Sequence, residues 1–212
     1  SSPSRGLGDV YKRQDLYDGN DFTTKIGGDG MECIVDPTDE GYLYGELYYG
    51  NIRRSIDGGL TFSDIAGNGI NGITEDGGWV TPYKLDPLNA NRMYVGYTNV
   101  WRSNNVKDFS PTSVSWTQIS NFAGSAKVRD IAIAPSNTNV GYVSRSGTAF
   151  YRTTNLSGAA TWTDLSTSLP FFTTPVDIEI DPVDPTHLWI AAGNSIYCLL
   201  YTSDAADDIP RG

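Results

Sequence analysis

Carboxylates and large aromatics gather where short apolar runs begin. Asp29 and Glu32 stand in Gly27-Gly28-Asp29-Gly30-Met31-Glu32. Asp76, Trp79 and Tyr83 stand in Glu75-Asp76-Gly77-Gly78-Trp79-Val80-Thr81-Pro82-Tyr83, and Arg129 and Asp130 in Ala126-Lys127-Val128-Arg129-Asp130. Two carboxylates facing each other across a cleft can act as acid and base on a glycosidic bond, their separation fixing the stereochemistry. Asp29 and Asp130 are the candidates for such a pair. Trp79, beside Asp76 and Tyr83, suits stacking on a sugar or contact with a partner. Asp and Gly at the start of a strand more often cap turns and line solvated channels than catalyse. The binding role therefore ranks ahead of the catalytic one for Asp29, Glu32, Asp76, Trp79, Tyr83, Arg129 and Asp130.

Metal and cofactor chemistry find little support. His187 is the sole histidine and has no sequence partners for a zinc site. G-x-S-x-G, H-E-x-x-H and P-loop motifs are missing from the sequence. The turns D-P-T-D-E, D-P-L-N-A and D-P-V-D-P are rich in oxygen but lack the ligand spacing of known calcium loops, and Asp before Pro is accounted for as a turn start. No metal and no cofactor is expected.

The elements that must position these residues repeat. The residue before a turn proline is Asp36, Asp86, Ala134 and Asp181, at spacings of 50, 48 and 47 residues. A period of about 40–50 residues built from strand patterns marks a propeller with one four-stranded blade per repeat. Innermost strands read MECIVD, VTPYKLD, VRDIAIA and VDIEID; second strands YLYGELYY, RMYVGY, VGYVSR and HLWIAA. Third strands read NIRRS, NVWRS, AFYRT and SIY; fourth strands LTFSDI, SWTQI and TWTDL. The blades then span about 27–66, 76–120, 126–167 and 174–197, with 15–26 finishing the outer strand of an earlier blade. The expected fold is all-β, a partial propeller of about three and a half blades. Arg53, Arg54, Arg102 and Arg152 recur at one repeat position and read as scaffold. Trp116, Trp162, Trp189 and Trp101 read as core. Residues that break the repeat, with Asp177 completing a ring at the channel mouth, are the functional candidates.

Ser55-Ile56-Asp57-Gly58-Gly59-Leu60-Thr61-Phe62 closes the first repeat as strand, turn and strand. Ser55 and Asp57 bond the turn backbone, Gly58 and Gly59 supply positive φ, and Thr61 with Phe62 re-enters a strand with an aromatic pointing into a core. RSNNVKDFSPTSVSWTQIS and RTTNLSGAATWTDLS keep the basic start and the terminal Trp but lose the glycine pair. SIDGGLTF resembles an Asp-box, the hairpin signature of sialidase, sortilin and xyloglucanase-type β-propellers, and the resemblance covers 27–197. It implies that Ser55, Asp57, Gly58, Gly59, Thr61 and Phe62 are structural and lie away from the ligand pole. It also implies a secreted or cell-surface protein similar to the large exported propellers of gliding and gut-type bacteria. The implied function is non-catalytic binding of glycan or protein, with a xyloglucanase-type glycoside hydrolase as the alternative. The convergent arginines and Tyr/Glu pair of a sialidase are not assembled.

The ends read differently. Asp9–Gln14 is DVYKRQ, the translation of GATGTGTATAAGAGACAG, and Cys198–Ser203 is CLLYTS, encoded by its complementary strand. Residues 1–14 and 198–212 are accordingly expected to be adapter-derived and non-native, leaving 15–197 as a window on a longer propeller whose remaining blades are partners. Cys33 is then the one native cysteine and no intrachain disulfide is expected. Arg5, Lys12, Arg13 and Arg211 leave with Asp9, Asp204, Asp207 and Asp208, so the net charge stays at −10. That acidity argues against a nucleic-acid partner. No apolar run approaches the roughly 20 residues of a membrane helix.

Overall fold

The computed structural model describes residues 24–200. Four antiparallel sheets follow one another along the chain, each a meander in which consecutive strands pair. The first holds β1 (Cys33–Val35), β2 (Leu43–Glu46), β3 (Ile52–Ser55) and β4 (Ser63–Ala66). The second holds β5 (Tyr83–Asp86), β6 (Asn89–Gly96), β7 (Val100–Ser103) and β8 (Thr117–Gln118). The third holds β9 (Val128–Ile133), β10 (Gly141–Arg145), β11 (Phe150–Thr153) and β12 (Thr163–Asp164), and the fourth β13 (Pro175–Ile180), β14 (His187–Ala192) and β15 (Ser195–Leu200). Three blades of four strands and one of three agree with the repeat arithmetic.

Adjacent blades bury their faces against each other. Tyr44, Ile52 and Ile65 of the first sheet share one core with Tyr83, Met93 and Trp116 of the second. Tyr94 and Val100 pack on Val128, Ile131 and Val143, and Tyr142 and Phe150 on Ile178, Leu188 and Ile190. The middle strands are covered on both sides, which is why β10 is buried along its whole length rather than alternating.

Two of the four recurrent arginines are inter-blade ties, whereas Arg53 pairs with Asp64 and Arg152 donates to the Tyr142 hydroxyl within their own sheets. Arg54 is buried and donates to the carbonyls of Val106 and Phe109 in the next blade, while Arg102 donates to Leu156 O at 2.9 Å and Gly158 O at 2.6 Å. The tryptophans tie in the reverse direction: Trp116 Nε1 donates to Ile65 O at 2.8 Å and Trp162 Nε1 to Ile119 O at 2.9 Å.

Three expectations need correcting. Tyr48–Gly50 leaves the second strand as a 3-10 turn, with Tyr49 at φ 62° and ψ 24°. Phe62 precedes its strand, which starts at Ser63, and is half-buried rather than in a core. Trp189 is 37% exposed, because its strand belongs to the last described sheet and has no blade beyond it in the described residues. The third strand of the last sheet runs past Tyr197 through Cys198, Leu199 and Leu200, paired with His187–Trp189. The remaining residues read as adapter, 1–14 and 201–212, lie outside the described residues.

Candidate binding site

A meander fixes which loops share an end. Segments entering each inner strand (27–32, 67–82, 119–127) and turns joining second to third strands lie at one pole. The turns after the inner strands and the 56–62 hairpin lie at the other. Asp29, Glu32, Asp76, Trp79 and the neighbourhood of Asp130 thus share a pole opposite the hairpin.

At that pole stands a group which sequence reading only half found. Tyr48, Tyr49 and Trp79 are 43%, 49% and 51% exposed and touch one another. Tyr48 stacks on Trp79 with centroids 5.6 Å apart and planes 14° off parallel; Tyr49 stands edge-on to both at 5.5 Å. Val80 widens the apolar surface. Tyr48 and Tyr49 were hidden because YLYGELYY reads as one continuous strand. The signal was the end of alternation at Tyr-Tyr-Gly-Asn.

Backbone and buried polar groups hold this cluster. Gly77 N–H donates to Tyr49 O at 3.1 Å, Tyr97 Oη to Gly50 O at 2.8 Å, and Thr81 N–H to Glu46 Oε1 at 2.8 Å. Gly50 has φ 79°, and a Cβ there would lie 2.4 Å from the Tyr97 ring, so the turn needs glycine. Glu75 anchors the other loop by accepting from Asn99 N–H, Asn99 Nδ2 and Trp101 Nε1. Lys127 donates to Asp76 O and, at 3.1 Å, to Thr98 Oγ1. Burial raises the Glu46 carboxyl to about 7.

The other sequence candidates separate. Asp29, Asp76 and Arg129 are exposed. Glu32 is half-buried, with Lys84 Nζ 3.6 Å from Oε1. Tyr83 has no exposed surface, and its hydroxyl donates to Glu32 O and Tyr44 O; it supports the pole from below and presents nothing to a ligand. Asp130 is 7% exposed and takes Ile131 N–H on Oδ1 and Ile178 N–H on Oδ2, joining the inner strands of two blades. Burial raises it to about 6. It lines, with Lys84, Asp177 and Glu179, a 200 Å³ cavity along the inner strands. With both oxygens occupied by backbone N–H groups, Asp130 is a strand tie and not half of a solvent-facing acid–base pair with Asp29.

Two further features carry no site. An 840 Å³ hollow between the second and third blades is lined by Arg102, Phe122, Tyr151 and Trp162, but the guanidinium and the indole N–H there are engaged in blade ties. His187 Nε2 lies 3.0 Å from Cys198 Sγ, with Asp181 Oδ2 3.9 Å from Nδ1. Cys198 opens the segment that reads as adapter, so this trio supports no assignment. Among the described residues no three His, Cys, Asp or Glu side chains gather as a metal site, and no helix is long and apolar enough to cross a membrane.

At the opposite pole the hairpin satisfies its own backbone. Asp57 Oδ1 accepts from Ser55 Oγ at 2.7 Å, Thr61 N–H at 2.9 Å and Leu60 N–H at 3.0 Å, and Oδ2 from Thr61 Oγ1 at 2.6 Å. Gly58 and Gly59 sit at φ 69° and 87°. Asn105 takes the same place in the second blade, its Oδ1 accepting from Ser103 Oγ and Ser115 N–H; in the third, Asn155 N–H donates to Thr153 Oγ1. Of the two turns that look decayed in sequence, the second-blade turn keeps the side-chain bonding with Asn in place of Asp, and the third keeps the backbone bond to the hydroxyl while Asn155 Nδ2 donates to Ala159 O.

No protein-family model matches the chain, and no curated protein matches it significantly. Solved structures do. YCF48 from Cyanidioschyzon merolae superposes with a TM-score of 0.61 at 11% identity, over 84% of this chain and 52% of its own. The GH74 xyloglucanase from Xanthomonas campestris gives 0.55 at 15% identity, over 78% and 27%. An auxiliary nutrient binding protein from Bacteroides thetaiotaomicron gives 0.55 at 13%, over 84% and 40%. The chain thus spans about a quarter to a half of the length of these neighbours. Identities this low carry the fold and nothing finer: the chain folds as consecutive blades of a β-propeller.

Proposed function

We propose that this chain is part of a non-catalytic binding propeller that captures a glycan or protein ligand on the pole carrying Tyr48, Tyr49 and Trp79. The observation that carries this is the cluster itself. Three large rings half in water expose apolar surface that core packing would otherwise bury, and Trp and Tyr are the residues that anchor interfaces. Exposed Asp29 and Asp76 at the same pole supply acceptors for sugar hydroxyls or cationic groups. The hairpin of Ser55, Asp57, Gly58, Gly59, Thr61 and Phe62 serves as an Asp-box scaffold. Further blades of a longer chain complete the ring, and the protein works outside the cell or at its surface, as its resemblance to exported propellers suggests.

Neighbours that include a xyloglucanase, a YCF48 bound to a D1 peptide and a nutrient-binding protein are consistent with a fold that serves several ligand classes. The test is binding of the full chain to an array of plant and host glycans and unstructured peptides, beside a hydrolysis assay on xyloglucan. Trp79→Ala is expected to weaken capture by about 1–3 kcal/mol. Capture unchanged in both Trp79→Ala and Tyr48→Ala would remove the pole from consideration. Turnover that Asp29→Asn abolishes while the chain stays folded would favour the hydrolase.

A further inference from the structure

We propose that Glu46 is the positioning residue of the aromatic site, and that gain or loss of its proton decides whether the loops carrying Tyr48–Tyr49 and Trp79 stay clamped together. The proposal rests on the binding role given to that cluster.

Glu46 ends β2, two residues before Tyr48; Thr81 lies two residues after Trp79. The Glu46 Oε1 to Thr81 N–H bond, at 2.8 Å, therefore staples the two halves of the aromatic group directly beneath it. Glu46 is 2% exposed, and its Oε2 is buried with no hydrogen-bond partner among the described residues. Glu32 lies directly across the strand pair, since Glu46 N–H donates to Glu32 O at 2.9 Å, and its Oε2 is likewise buried without a partner. The other charged or titratable groups around this point do not relieve it. Lys84 on β5 reaches Glu32; the hydroxyls of Tyr83 and Tyr97 donate to backbone carbonyls; Glu75 and Asp76, on the loop leading to Trp79, are acidic.

Burial raises the Glu46 carboxyl to about 7. A carboxyl whose folded value lies above its unfolded one, about 4.3, favours the folded arrangement most below the unfolded value. That contribution is lost as pH rises through the folded value. Below neutrality Glu46 is a neutral acid and the staple holds. Above it the buried anion faces the Glu32 carboxylate, and although hydrogen bonds from Thr81 and the Glu32 backbone favour it, Oε2 has no partner among the described residues and opening of the 78–81 loop lets water reach it. The aromatic group is ordered in acid and loosens in alkali.

The test follows the Thr81 amide resonance of the full chain from pH 5 to 9, with acrylamide quenching of Trp79 measured as the difference between wild type and Trp79→Phe. A Thr81 midpoint near 7, with Trp79 quenched more readily above it, is expected. Glu46→Gln keeps an acceptor without a titration, so both profiles should flatten at their acid values; Glu46→Ala should show the quenched state at all pH. A flat wild-type Thr81 profile, or the same midpoint in Glu46→Gln, would overturn the proposal. These readouts need no ligand, so a cluster that captures nothing would defeat the binding role while leaving the staple demonstrable. With any glycan or peptide that the array identifies, wild-type affinity should fall by up to about tenfold per pH unit above the midpoint, the limit for one linked proton, and Glu46→Gln should not follow it.

Discussion

Asp57 and Tyr49 show how single residues divide labour between the poles. Hydrogen bonds from Thr61 and Ser55 hold the Asp57 carboxyl down at about 2. A depressed value means its contribution is present above the unfolded value and lost as pH falls through about 2. Asp57→Asn should flatten that acid limb of a thermal-stability profile while keeping the hairpin, because Asn105 already does this work in the next blade. Asp57→Ala should lower Tm at neutral pH. Tyr49 is the converse case. Its positive φ is a conformation that glycine adopts freely. Tyr49→Gly should leave stability unchanged or raise it by about 0.5–1 kcal/mol in urea melts, while weakening ligand capture. Loss of both together would make Tyr49 part of the packing instead.

At the scale of elements, the blade ties decide stability. Arg54 is buried against the backbone of the neighbouring blade, and Arg54→Met should destabilise by about 2 kcal/mol or more in chemical denaturation, since hydrogen bonds from a charged donor are lost and the buried Val106 carbonyl is left unpaired. Most of this level was legible beforehand. Asp-Pro turns at a steady period located the strands, and the recurrence of Arg54 and Arg102 marked them as scaffold. Four things were not legible. The role of Asn105 was hidden because its turn lacks the glycine pair, although Asn offers the same acceptor oxygen as Asp. Tyr48 and Tyr49 vanished into an aromatic run, because strand propensity describes Tyr equally well in a core and at a rim. Glu46 was overlooked in the same run, although a lone carboxylate inside YLYGELYY is the kind of local conflict that marks a working residue. Asp130 was misread in the other sense: a carboxylate before an inner strand looks like a channel-mouth acid, and only the tertiary contact with Ile178 N–H shows it to be a tie.

For the whole molecule, the propeller separates a scaffold pole of self-satisfied hairpins from a pole where loops of differing length break the repeat and carry exposed rings. That separation is the central claim, and a crossed comparison in the full chain tests it: Tm and array binding measured side by side for wild type, Trp79→Ala and Asp57→Ala. The expected pattern is loss of capture with Tm preserved for Trp79→Ala, and a lowered Tm with capture preserved below the transition for Asp57→Ala. Capture lost in folded Asp57→Ala and kept in Trp79→Ala would place the ligand at the hairpin pole and contradict the account.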